Sequence, residues 1–247
     1  MRDEFEAPIL TALDRLQAQG KIAHFWLRDD DAVEPTSALD RVLSLTGASA
    51  VPLTLAVIPQ PAGPALKARL AQEAHVTVAV HGWTHANHAP PTRKRAELGA
   101  DRPADVVKAE LALARETLAA LFGDRLVPVL VPPWNRIDAA LIPALPHLGF
   151  SALSTFGPEK PAPLPVVNSH VDLMDWHGTR GCRPFSVLAE EIVARLDVAA
   201  QTGGSVGLLT HHLVHDAAVW HFLERLFAAT CAHEACRWVR LESLLKT

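Results

Sequence analysis

Short apolar runs rich in Val, Leu and Ile alternate with stretches of helical periodicity along nearly the whole chain. The runs cover residues 22–27, 52–58, 76–80, 126–131, 151–156, 166–171 and 205–209, and residues 238–241 add a last one. Helical spacing fills residues 4–19, 36–46, 65–73, 103–121, 184–200 and 216–229, and Asp138 caps a further short helix. Runs this short and this uniformly apolar suit strands buried on both faces. Strand and helix in alternation imply a parallel sheet, because a parallel neighbour is reached only through a crossover segment. No Gly-rich turn follows the first run, so a dinucleotide-binding sheet is disfavoured. The expected fold class is therefore α/β, a barrel of seven or eight parallel strands rather than an open doubly wound sheet. The 247 residues, 49% of them hydrophobic, suffice for a single domain over residues 1–247.

A net charge of −4 supplies no basic surface for nucleic acid or an anionic membrane. The three cysteines, Cys182, Cys231 and Cys236, have neither the number nor the spacing of a disulfide framework or a zinc ribbon. The start, Met1 to Glu6, is acidic without an apolar core, unlike a secretory leader. No apolar run approaches the roughly 20 residues of a membrane span. Together these features predict a cytoplasmic protein; its oligomeric state is open.

Polar and aromatic residues follow the runs at their carboxyl ends, the edge where parallel α/β proteins carry chemistry. Arg28-Asp29-Asp30-Asp31 follows the first run. Side chains alternate along an extended strand, so one acid can bind a metal while the next faces substrate. On its own the cluster also fits a solvated acidic turn. His81 and His85, four residues apart, can meet one cation if the backbone makes a single turn between them. Two His and one carboxylate form a recognised open metal site. Two surface histidines would look the same in isolation. Pro132-Pro133-Trp134 stiffens another strand end and presents the Trp134 amide as a donor to an oxyanion. Asp172 to Trp176 sets carboxylates beside an indole that can wall a pocket. Thr210-His211-His212 ends a further run. A His there suits general acid catalysis near neutral pH, and an extended chain lets only one of the two face inward.

In this order and spacing the motifs resemble those of the polysaccharide deacetylases, carbohydrate esterase family four. That family shows T-F-D-D-G, H-[ST]-x-x-H, R-x-P-[YW], D-x-x-D-W and an apolar strand ending in His. Residues 27–31, 81–85, 131–134, 172–176 and 208–211 are the counterparts, over most of the chain. The resemblance implies a distorted (β/α) barrel that hydrolyses an N-acetyl, or related acyl, group on a sugar. It implies a divalent metal, zinc first, with cobalt, nickel or manganese as alternatives, on Asp30, His81 and His85. It implies Asp29 as general base, His211 as general acid, Asp175 as the residue orienting that His, and Trp176 as the wall of the acyl pocket. Trp134, Pro133 and Arg28 complete the expected substrate-binding set.

Three positions depart from the family pattern. Val131 replaces an Arg, for which Arg28 or Arg136 is the candidate substitute. Asp31 replaces a Gly, adding charge that either raises a neighbouring carboxylate's pKa or supplies another ligand. Gly82 stands in a Ser/Thr position. The alternatives are a non-catalytic carbohydrate- or metabolite-binding barrel and a hydrolase of a non-sugar amide, since fold analogy alone does not fix function.

Overall fold

The computed structural model describes residues 5–245. Residue 4 of the first helical pattern and the leader reading of residues 1–4 lie outside it. The elements run α1 (Glu6–Ala18), β1 (Ala23–Ala32), α2 (Ser37–Ala48), β2 (Leu53–Val57), α3 (Pro64–Leu70) and β3 (Val76–Val80). Then come α4 (Ala104–Phe122), β4 (Leu126–Leu130), β5 (Ala152–Leu153), β6 (Val171–Asp172), α5 (Phe185–Thr202), β7 (Ser205–Thr210), α6 (Ala217–Cys231), β8 (Cys236–Trp238) and α7 (Leu241–Leu244). The strands form one eight-stranded sheet in the order β5-β4-β3-β2-β1-β7-β6, with β8 also paired to β1. β1 pairs in parallel with β7 and β8, β3 with β4, β4 with β5, and β6 with β7. Every residue of β2 and β3 is buried, as expected of strands covered on both faces.

The chain divides into two compact units, with the division inside β1 between Asp29 and Asp30. The first unit holds residues up to Asp29, then Thr36–Leu53 and Ser169–Leu244. In it α1 buries Ile9, Leu13 and Leu16, spaced to form one helical stripe. Phe5 stacks on Phe222 with ring centroids 4.9 Å apart. α2 starts where the Thr36 hydroxyl accepts from the Leu39 amide at 3.0 Å, satisfying a donor the first turn leaves over. α5 stops at Gly203, whose φ of 77° suits a residue without Cβ. The second unit holds Asp30–Pro35 and Thr54–Asn168. There α4 buries Val107, Leu111, Ala114 and Leu118, and Pro128 splits the buried run of β4 without ending it.

Three expectations shift. β1 continues to Ala32 and takes in all three aspartates. Of the runs at 151–156 and 166–171, ladders form only at β5 (Ala152–Leu153) and β6 (Val171–Asp172), with a single parallel bridge between Leu153 and Val166. The connecting segment, with prolines at 158, 161, 163 and 165, forms no ladder of its own, and the Thr155 amide turns to Asn168 Oδ1 at 2.7 Å. The last strand ends at Trp238, and Leu241 begins a helix. Among the described residues no helix is long and apolar enough to cross a membrane.

Candidate metal centre

In the second unit, β3 ends at Val80 and delivers His81 from a fully buried strand. The His81 amide donates to the Val57 carbonyl at 2.9 Å, so the backbone is still held like a strand where the imidazole begins. His81 Nδ1 lies 2.9 Å from the Val131 carbonyl oxygen. A carbonyl only accepts, so Nδ1 carries the proton and Nε2 is left as the ligand-type nitrogen. This is the part Val131 plays here: its backbone, not its side chain, orients His81.

His81 Nε2 is 3.1 Å from Asp31 Oδ1, and His85 Nε2 is 3.2 Å from the same oxygen. The three ligand atoms lie within 4.8 Å of one another. A tetrahedral ion with bonds of about 2.0–2.1 Å separates its ligand atoms by about 3.4 Å, so the donor set fits a divalent cation in type and spacing. The carboxylate that meets both imidazoles is Asp31, not Asp30 as the family pattern implied. Its backbone explains the change: φ at Asp31 is 73°, which breaks the strand alternation and turns the side chain toward the histidines. His85 is also left-handed, with φ of 60°, and its ring centroid sits 4.3 Å from that of Trp134.

The electrostatics favour positive charge at this point. Burial presses the His81 pKa down, but the charges of Asp30 and Asp31, with the hydrogen bonds of Asp31 and Val131, outweigh it and the net shift is upward. A place that favours an added proton favours a cation for the same reason. His85 goes the other way, lowered by burial and by His81 beside it. Asp30 itself is buried in β1, near enough for its charge to act on His81.

Trp134 follows two prolines and has φ of 54°. The Asn135 and Arg136 amides donate to the carbonyls of Pro132 and Pro133 at 2.8 and 3.2 Å. Neither bond uses the Trp134 amide. Pro133 is buried and Trp134 half-buried. Arg136 donates to the Arg95 carbonyl at 2.8 Å, so its guanidinium is anchored on a loop.

The first unit holds the other expected residues, differently arranged. Asp29 pairs in register with Thr210 across β1 and β7, and both are fully buried. Its Oδ2 accepts from the Thr210 hydroxyl at 2.6 Å and the His212 amide at 2.9 Å, while its Oδ1 meets His212 Nδ1. Burial raises the Asp29 pKa, but His212, His215 and Thr210 overcome that and hold it below the ordinary carboxylate value. A carboxylate with three donors and a lowered pKa is a poor proton acceptor. This geometry counts against the base role expected of Asp29. The sequence carried no sign of the Asp29–His212 pair, which depends on strand register.

His211 stands edge-on to Trp176, centroids 4.7 Å apart, and its amide donates to His215 Nε2 at 3.3 Å. Asp175, expected to orient His211, instead accepts from the Thr179 and Gly178 amides at 2.8 and 3.1 Å. Those bonds, the Thr179 one foremost, lower its pKa. The carboxylate closes its own turn, as Asp does where a chain reverses. The Trp176 indole N–H donates to Asp172 Oδ2 at 2.8 Å, which fixes the ring beside His211. Arg28, expected to bind substrate, is wholly buried in β1. A guanidinium with no exposed surface belongs to the interior of the unit.

The fold is the distorted (β/α) barrel of polysaccharide deacetylases. No family model matches the sequence, and no curated protein matches it, so the likeness lies in three dimensions. A Mycobacterium smegmatis structure assigned as a polysaccharide deacetylase is similar at a TM-score of 0.68, with 18% identity, over 92% of this chain and 90% of that one. A family 4 carbohydrate esterase from Streptomyces lividans, solved with acetate, is similar at 0.59, with 17% identity, over 87% and 90%. A family 4 acetyl xylan esterase from Clostridium thermocellum, solved with a cobalt ion, is similar at 0.55, with 16% identity, over 90% of each.

Proposed function

We propose that this chain is a metal-dependent hydrolase that removes an N-acetyl or similar acyl group from a sugar. One observation carries the reading: Asp31, His81 and His85, drawn from two separated segments, turn their ligand atoms to one point. The solved structures of like fold with acetate or cobalt support the same chemistry. A divalent ion held there, zinc first, would polarise the acyl carbonyl and lower the pKa of its water toward about 7.

The protein's own groups divide the remaining work. Asp30, next in chain to the ligand Asp31, takes the base role that Asp29 is too firmly paired to fill. The Trp134 amide faces the charge that develops on the acyl oxygen, a contribution of about 3–4 kcal/mol for one such donor. Pro133 and Trp134 make a stiff wall beside His85. His211, with Trp176 against its ring, remains the proposed general acid. Three free thiols support a reducing, cytoplasmic setting.

The test is metal analysis of the purified protein followed by acetate release from a panel of N-acetylated sugars. The wild type carries one divalent ion and releases acetate. Asp31→Asn loses the ion; Asp30→Asn keeps it and loses turnover. A wild type that holds metal but deacylates nothing points to the binding-barrel alternative, and one without metal removes the reading.

A further inference from the structure

Segment 86–102 has no helix or strand, yet it sends one carboxylate into the interior. Glu97 is 0% exposed. Its Oε1 accepts from the Thr84 amide at 2.7 Å and the Thr84 hydroxyl at 3.0 Å. The Trp83 amide is shared between Oε1 and Oε2 at 3.3 and 3.2 Å. These donors belong to Trp83 and Thr84, two of the three residues between His81 and His85.

Gly82 completes the arrangement. A Cβ at this position would stand 2.0 Å from Glu97 Oε2 and 2.6 Å from Pro133 Cγ, and φ is +63°. The Ser or Thr of the family pattern cannot fit beneath that carboxylate. The departure at Gly82 and the buried Glu97 are therefore two halves of one feature.

We propose that Glu97 is a positioning residue of the metal centre. It holds the 81–85 turn so that His81 Nε2 and His85 Nε2 converge on Asp31 Oδ1. The inference rests on the metal reading above. A buried carboxylate is costly unless its oxygens are satisfied. Here the donors that satisfy it are the amides of a turn that must keep His85 left-handed. Its charge also bears on His85. Glu97 touches no ligand atom and acts only through the backbone it grips, as outer partners of metal ligands do.

The test uses Co2+ alone as the probe, added to the full-length, metal-free protein, and reads affinity and visible absorption. Wild type binds one Co2+, and Asp31→Asn abolishes the saturable band. Glu97→Gln, which replaces one acceptor oxygen by an amide, is expected to bind about 10–100-fold more weakly, with altered band positions and intensity. Thr84→Val, which loses the hydroxyl's bond to Glu97 and its acceptance from the Ala86 amide but keeps the amide bonds to Glu97, weakens binding in the same direction by less, and Thr84→Ser retains it. This pair keeps the test open if Glu97→Gln does not fold. A folded Glu97→Gln with wild-type affinity and spectrum overturns the positioning role while leaving the metal reading intact. A wild type that takes up no Co2+ overturns the metal reading, and the role of Glu97 with it.

Discussion

Replacing Asp29 by Asn separates a structural aspartate from a catalytic one. The carboxylate accepts from Thr210 Oγ1, the His212 amide and His212 Nδ1, all without access to water. An Asn keeps one oxygen and turns an NH2 toward donors on the other side. At least one charge-assisted bond is lost and a donor is left facing a donor. Each bond to a charged group is worth about 1.5–3 kcal/mol net, and breaking a buried pair by changing one partner costs about 3–5 kcal/mol. For a chain of this size about 2–4 °C is lost per kcal/mol, so Asp29→Asn should melt roughly 6–20 °C below wild type. Thr210→Val, which removes only the hydroxyl and its bond to the carboxylate, should lose about 1.5–3 kcal/mol. The assay is thermal unfolding by circular dichroism at pH 7, repeated down to pH 3. Because the folded pKa of Asp29 is lowered, the unfolded chain binds its proton first. The stabilisation is full above pH 3.8 and is lost as pH falls below it. That acid limb should flatten in Asp29→Asn. A variant melting within about 2 °C of wild type, with its acid limb unchanged, would refute the assignment.

Three further outcomes follow from the same geometry. Chelator treatment should lower the melting temperature, since an ion present at 100 times its Kd contributes about 2.7 kcal/mol; calorimetry with and without chelator checks this, and Asp31→Asn should not respond. His215, its pKa lowered to about 4 mainly by burial, should cost stability between pH 6.5 and 4, because only the unfolded chain takes up a proton there. The loss is about 3 kcal/mol over that window, and urea titrations of His215→Gln across it should show a shallower slope. Thr36→Ala removes the cap of α2 and should cost about 1 kcal/mol, read from the urea midpoint.

The strand–helix rhythm was legible because buried parallel strands leave continuous apolar runs. β3 falls on residues 76–80 as expected, and α4 and α5 lie within a residue or two of their patterns. What misled was composition without pairing. Residues 151–156 and 166–171 look like strands, but they meet each other in a single bridge at Leu153 and Val166, and the Thr155 amide goes to the Asn168 side chain. Periodicity reports burial, and burial does not guarantee a hydrogen-bonded partner.

At the candidate site, sequence order located the neighbourhood and missed the assignment within it. A strand alternates, so three consecutive aspartates should place the first and third on one face. Asp29 does lie on the buried ladder to Thr210, but Asp31 leaves the strand conformation at φ 73°. Three residues of the proposed centre, Asp31, His85 and Trp134, adopt left-handed backbone, a conformation that costs non-glycine residues of order 1 kcal/mol or more each. Local sequence rules assume that each residue takes its own cheapest conformation. They fail where surrounding contacts hold the chain elsewhere. The two residues just before His85, Trp83 and Thr84, donate to Glu97, a dozen residues on in a loop with no periodic signal. Of the six left-handed non-glycine residues described, two, Asp31 and His85, belong to the three whose ligand atoms converge, and stability alone does not explain strain at that point. It is the expected mark of a site whose geometry answers to a ligand.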